Sequence, residues 1–207
     1  VSFAILGTEE RCNGDMARRC GNEYLAQMMI AENVETLNRY KPRRILTGCP
    51  HCFNTIKNEY PDFDATFDVV SHVDFILELI ESGKLTVKEE YPGNITYHDS
   101  CYLGRWNGIY DSPRKIISAM SKNGELVEMG ENRDNAMCCG AGGGRMFMEE
   151  TLGERINNVR CRQAIGTGAD TVSEACPFCL TMFSDGMRDN KGSQDVKDIA
   201  ELVDAVT

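Results

Sequence analysis

The chain has 207 residues, 42% hydrophobic and 26% charged, ordinary for a soluble globular protein and enough for one large domain or two small ones. Its net charge of −10 argues against nucleic acid and against an anionic membrane surface as partners. No apolar run reaches the roughly 18 residues of a spanning helix, so membrane contact is expected only through parts outside this chain.

The first stretch, Val1-Ser2-Phe3-Ala4-Ile5-Leu6, reads as a strand. With no initiator Met before it, a piece of a longer polypeptide is expected. A helix is predicted from about Asp15 to Tyr40, carrying Met16, Leu25, Met28, Met29 and Leu37 on its apolar face and stopped by Pro42. Ile45-Leu46 reads as a strand running into Cys49-Pro50-His51-Cys52, and Val69, Phe75, Ile76 and Leu79 mark the next apolar segment. Tyr91-Pro92-Gly93 is the expected boundary between two halves, 1–92 and 93–207.

In the second half, Asn94 to His98 reads as a strand followed by Cys101. Asp111, Ser112 and Pro113 signal a helix start, Ile116, Ile117 and Met120 form its stripe, and Gly124 is its expected end. Leu126 to Met129 is the next predicted strand. Cys138-Cys139-Gly140-Ala141-Gly142-Gly143-Gly144-Arg145-Met146 reads as a glycine-rich turn into a long helix. Thr171-Val172 is a strand before Cys176-Pro177-Phe178-Cys179, where another helix begins, and Val196 to Val206 closes the chain as a short helix or strand–helix unit. Alternating strands and helices predict an α/β fold: two pseudo-repeated cysteine-rich halves with mainly parallel sheets flanked by helices.

The cysteines establish the repeat. Cys12, Cys49 and Cys52 recur as Cys139, Cys176 and Cys179, each pair separated by the same 127 residues. The second half is fuller, adding Cys101 and Cys138. The same offset sets the first-half counterpart of Cys101 about 26 residues before Val1 and puts Arg11 at the counterpart of Cys138. Gaps of 36 residues separate Cys101 from Cys138 and Cys139 from Cys176, too long for a compact ferredoxin run. They suit a sheet in which the loop after each of several strands supplies one ligand. Ten cysteines in a chain with regular helix and strand patterning point to reduced thiols holding metal, and so to a cytoplasmic location, more than to a disulfide framework. Soft anionic thiolates suit iron–sulfur clusters. Glycines at 140 and 142–144 let backbone approach a bulky inorganic core. Structural zinc is the main competing reading, and a thioredoxin-type pair competes at Cys49 and Cys52.

The pattern Cys, then Cys-Cys-Gly, then Cys-Pro-x-Cys resembles the cysteine-rich CCG domain. That domain occurs in pairs in heterodisulfide reductase catalytic subunits and in iron–sulfur subunits of glycolate oxidase, anaerobic glycerol-3-phosphate dehydrogenase and lactate-utilisation systems. The stretches His98-Asp99-Ser100-Cys101-Tyr102-Leu103-Gly104-Arg105 and Cys138 to Met146 look most like the branch passing electrons from electron-transfer flavoprotein to menaquinone. The resemblance implies an iron–sulfur oxidoreductase, working in the cytoplasm or at the cytoplasmic face of a membrane. Electrons would come from a flavoprotein or another redox subunit and leave to a quinone or a disulfide. It also implies Cys101, Cys138, Cys139, Cys176 and Cys179 as ligands of a four-iron–four-sulfur cluster, non-cubane in the heterodisulfide reductases. Cys12, Cys49 and Cys52 would hold a second cluster, with Arg11 and Asn13 departing from the motif there. Heterodisulfide reduction at the second site and a zinc-stabilised interaction module without a redox role are the alternatives.

The remaining candidates have plainer readings. Cys20 and Cys161 lack repeat partners and read as core thiols, with Cys20 also a candidate substitute ligand two helical turns beyond Cys12; the methionines at 16, 28 and 29 read as core. His51 and His98 read as hydrogen-bonding neighbours of the thiols, and His72 as an exposed or interfacial helix residue. Arg105 and Arg145 either balance cluster charge or form surface pairs. Without Gly-Lys-Ser/Thr the glycine run is no phosphate cradle, and no nucleophile–base pair identifies a catalytic residue.

Overall fold

The computed structural model describes residues 1–121 and 125–207. Two parallel sheets carry the chain. In the first half, β1 (Ile45–Thr47) pairs with β2 (Val69–Ser71); in the second, β3 (Ile95–Tyr97), β4 (Thr171–Glu174) and β5 (Asp195–Asp198) pair in that order. The helices are α1 (Asp15–Arg19), α2 (Glu23–Tyr40), α3 (Pro50–Asn54), α4 (His72–Glu81), α5 (Asp111–Met120), α6 (Ile156–Ile165), α7 (Pro177–Asp189) and α8 (Ile199–Asp204).

The repeat extends to the hydrogen-bond register. Ile45 pairs with Val69, and their counterparts 127 residues on, Val172 and Val196, pair with each other. Each half then runs strand, cysteine turn, helix, strand, capped helix. Ser71 caps α4 through its hydroxyl at 3.1 Å from the Asp74 N–H. Asp198, at the equivalent position, caps α8 in a reciprocal box with Glu201. One difference positions the sites: β4 is flanked on both sides, whereas β1 has a strand on only one side among the described residues, and Leu46 on it is half exposed.

The main core crosses between the halves. Val73 of α4 is buried with Ile95, Ile116, Ile117, Leu202 and Val203, so α4 packs on α5 and α8. A second core is built around the thiols themselves: Cys139, Cys161, Cys176 and Cys179 pack with Val172 and Phe183.

Several expected elements take another form. Val1 to Leu6 is not a strand; Val1, Phe3 and Ile5 are exposed and pair with nothing among the described residues. The single helix from Asp15 to Tyr40 is two, broken at Cys20-Gly21-Asn22. Gly21 adopts φ +85°, and the Asn22 side chain accepts from the Leu25 N–H to start α2. The buried face of α2 is Ala26, Ile30, Asn33 and Leu37, which leaves Leu25 and Met28 exposed instead of in the core. Leu126 to Met129 contributes one parallel bridge, Leu126 to Ile95, and no strand. The glycine run does not open a long helix. Gly142–Phe147 is a short 3₁₀ turn kinked at Gly143 (φ +63°) and Gly144 (φ +76°), and regular helix resumes only at Ile156. Helix α5 ends at Met120; Gly124 lies outside the described residues.

Candidate metal centre

Each Cys-Pro-x-Cys turn sits where a parallel strand passes into a helix. Cys49 and Cys176 are extended, with φ −119° and −154°, and the following proline occupies the first helical position of α3 and of α7. This geometry turns Cys52 and Cys179 back beside the first thiol of their own turn. Cys101 follows β3, and Cys138-Cys139 arrives on the loop before α6. Gly140, at φ +94°, bends that loop sharply and points its N–H at the Cys138 Sγ, 3.3 Å away.

All ten cysteines are free thiols. Six of those expected to bind metal form one line of hydrogen-bonding contacts: Cys52 to Cys49, Cys49 to Cys176, Cys176 to Cys179, Cys179 to Cys139, and Cys139 to Cys138. The step from Cys49 to Cys176 joins the two halves. Cys101 lies within electrostatic reach of Cys139, and Cys12, which is exposed, within reach of Cys52.

Two thiols along this line, Cys49 and Cys139, are made acidic and the other four are made less so. Hydrogen bonds from Cys176 and Cys52 lower Cys49 to about 3, and those from Cys138, Cys179 and His98 lower Cys139. Cys52 and Cys138 are raised, chiefly because each donates to its acidic neighbour. Cys179 is raised by its bonds to Cys139 and Cys176. Cys176 is raised by donating to Cys49 and by burial, against the opposing bond from Cys179. Burial raises Cys101. A row of thiols this close, sharing protons pairwise, is suited to bind soft metal cations once deprotonated. The Cys49–Cys52 pair is therefore not an isolated thioredoxin-type dithiol, since the first partner of Cys49 comes from the other half.

Two histidines flank the line. His51 is buried, its Nδ1 lies 2.8 Å from Asp15 Oδ2, and its ring stacks on Tyr102 at 4.1 Å and meets Phe178 edge-on at 4.9 Å. Tyr102 and Phe178 belong to the second half's cysteine turns, so His51 is a wedge between the two thiol sets. Asp15 is pushed up by burial, but its bonds to His51 and Arg19 prevail and hold its carboxyl below the usual range. His98 is fully enclosed and bonded to Cys139; one ring nitrogen, Cys139 Sγ and Cys179 Sγ lie within 4.8 Å of one another. An imidazole thus stands beside these two thiols as the hydrogen-bonding neighbour expected from the sequence.

Of the remaining candidates, Cys20 departs from its expected place in the core. Cys20 is exposed, with its Sγ only 2.8 Å from where a Cβ on Gly144 would lie. His72 takes the interfacial of its two expected places: it is buried, with Nε2 3.3 Å from Asp198 Oδ1, where α4 meets the second half. Arg145 pairs with Glu150 at the surface, while Arg105 is exposed but acts electrostatically on Cys101. Cys161 is a core thiol as expected, packed against Gly186 and raised to about 12 by burial.

The loop carrying Asp99 and Cys101 is pinned from below. Arg114 of α5 donates to both Asp99 oxygens at 2.7 and 2.8 Å, to both Glu128 oxygens at 2.6 and 2.9 Å, and to the Tyr110 carbonyl at 2.8 Å. The Arg133 N–H adds a bond to Asp99 at 2.7 Å. Among the described residues, no helix is long and apolar enough to cross a membrane.

Comparison with known proteins agrees with this geometry. Residues 1–57 and 95–184 match the CCG cysteine-rich domain. The chain is 45% identical over 205 residues to a probable iron–sulfur-binding oxidoreductase, FadF, of Bacillus subtilis, covering 98% of this chain and 29% of that protein. It is 40% identical over 212 residues to EtfAB:quinone oxidoreductase of Syntrophomonas wolfei, covering 98% and 29%. To one component of the dihydromethanophenazine:CoB–CoM heterodisulfide reductase of Methanosarcina barkeri it is 34% identical over 209 residues, covering 98% and 51%. The chain thus spans about a third to a half of the length of these relatives. Its clustered cysteines are compatible with iron–sulfur clusters. With both segments matched and the paired thiol turns in place, the chain belongs to the CCG cysteine-rich domain family.

Proposed function

We propose that this chain is the electron-transferring, cluster-binding part of an iron–sulfur oxidoreductase. Its two cysteine-rich halves are 1–92 and 93–207. Cys101, Cys138, Cys139, Cys176 and Cys179 ligate one cluster of the four-iron–four-sulfur type, and Cys12, Cys49 and Cys52 contribute to a second. The observation that carries this reading is the unbroken thiol line across the halves through Cys49 and Cys176. A structural zinc site closes on four ligands; six thiols in one line, with two more at hand, exceed that. Two clusters seated at either side of the Cys49–Cys176 contact are close enough to exchange electrons. The donor is an electron-transfer flavoprotein or another redox subunit, as the name of the Syntrophomonas relative suggests, and the acceptor is a quinone. The site works in the cytoplasm or at the cytoplasmic face of a membrane.

Anaerobic preparation of the protein with Cys139→Ser and, separately, Cys49→Ser tests the ligand sets. Electron paramagnetic resonance of the reduced protein should lose one signal in each variant and keep the other. Retention of both signals in Cys139→Ser refutes the assignment.

A further inference from the structure

Arg160 of α6 is completely buried, yet among the described residues no carboxylate forms an ion pair with it. Its Nε donates to His98 Nδ1 at 3.3 Å, and its Nη1 to the Glu131 carbonyl at 2.9 Å and to Gln163 Oε1 at 2.5 Å. Its Nη2 is buried without a partner. A guanidinium stays protonated at neutral pH, and burying one without a counter-charge is costly. The negative groups that act on it are Asp99 and Glu131, then the thiols of Cys161 and Cys179, and His98 links it to Cys139.

The hydrogen bond also fixes the imidazole. The guanidinium Nε can only donate, so His98 Nδ1 accepts, and the neutral ring carries its proton on Nε2. The ring then has one donor to offer, and Cys139 is its bonded thiol neighbour. Phe183, 4.8 Å from the ring centroid, closes one face and keeps the ring from turning away.

We propose that Arg160 is a positioning residue for electron transfer at the second-half site: it holds His98 as a hydrogen-bond donor to Cys139, and its charge favours the reduced, more negative state of the metal group bound there. The proposal rests on ligation of a cluster by Cys139. Hydrogen bonds to ligand sulfur and nearby positive charge both raise reduction potential by stabilising added negative charge.

Redox titration of the cluster-loaded full-length protein, followed by electron paramagnetic resonance, tests it. The variants are Arg160→Met, Arg160→Lys, His98→Leu and His98→Gln, with iron and sulfide measured in each. Arg160→Met and His98→Leu should each lower the midpoint of the second-half cluster by at least tenfold in the oxidised-to-reduced ratio, 59 mV for a one-electron couple. The first-half cluster should not move. His98→Gln can accept from Arg160 and donate to Cys139 with one amide, so it should recover most of the loss. Arg160→Lys should fall between wild type and Arg160→Met. If Arg160→Met fails to retain iron, the two His98 variants and Arg160→Lys decide the question. Midpoints within twofold of wild type, at unchanged iron and sulfide content, overturn the proposal while leaving the ligand assignment standing. Wild-type protein that holds metal without sulfide overturns the cluster reading itself.

Discussion

Arg114→Met should destabilise the protein by about 3–4 kcal/mol. The side chain is 9% exposed and its partner Asp99 only 2%, so their two-pronged contact is a buried ion pair. Removing one partner of such a pair typically costs about 3–5 kcal/mol, because the other charge is stranded. Three features adjust that figure. Asp99 keeps the Arg133 N–H as a donor, which offsets part of the loss. Glu128, one-third exposed, can turn to water, so its share is below about 1 kcal/mol. The methionine chain replaces most of the aliphatic packing that the arginine stem provides. Urea unfolding under argon, followed by circular dichroism at matched cluster content, measures the difference. A cycle with Asp99→Asn isolates the pair: in the double variant no buried carboxylate is stranded, so about 2 kcal/mol or more should return. A loss under about 1 kcal/mol in the single variant, or simple additivity in the cycle, refutes the claim that this pair anchors the loop to Cys101.

Gly186→Ala should cost about 1–3 kcal/mol, because a Cβ there would lie 2.5 Å from Cys161 Sγ and 3.0 Å from the Asn157 carbonyl oxygen, both fixed where α6 meets α7; thermal unfolding checks it. Gly140→Ala places a side chain at φ +94° and 3.2 Å from both the Asn157 nitrogen and Ile156 Cβ, so it should cost about 1–2 kcal/mol and reduce iron content. His51→Leu removes the bond to Asp15 inside the wedge between the halves and should cost about 1–3 kcal/mol in the same unfolding assay. Arg162→Ala is the control: its pair with Glu154 is half exposed on both sides, and its loss should leave the unfolding midpoint unchanged.

The repeat was legible because an offset between cysteines also fixes the offset between the strands that deliver them. Ile45 and Val172 precede their thiol turns by the same distance, and the pairings with Val69 and Val196 follow. The proline after each first cysteine announced the helices beyond. Other features depend on what the chain meets in space. Val1 to Leu6 has a strand's composition but no partner strand, and backbone groups form a strand only by pairing. The break in the first long helix was signalled by Gly21-Asn22 and outweighed by the apolar periodicity on either side. Three consecutive glycines read as a helix start, yet two of them take left-handed backbone and end the turn. The contact of Cys49 with Cys176, the burial of His72 against Asp198 and the reach of Arg160 to His98 join residues far apart in sequence. Neither spacing nor periodicity carries such information.

If these thiols hold iron and sulfide, as proposed, elemental content reads it out without further assumption. Protein purified without oxygen and assayed for iron, acid-labile sulfide and zinc should contain iron and sulfide in near-equal amounts, with little zinc, and should bleach on reduction. A colourless protein with stoichiometric zinc and no sulfide contradicts the account.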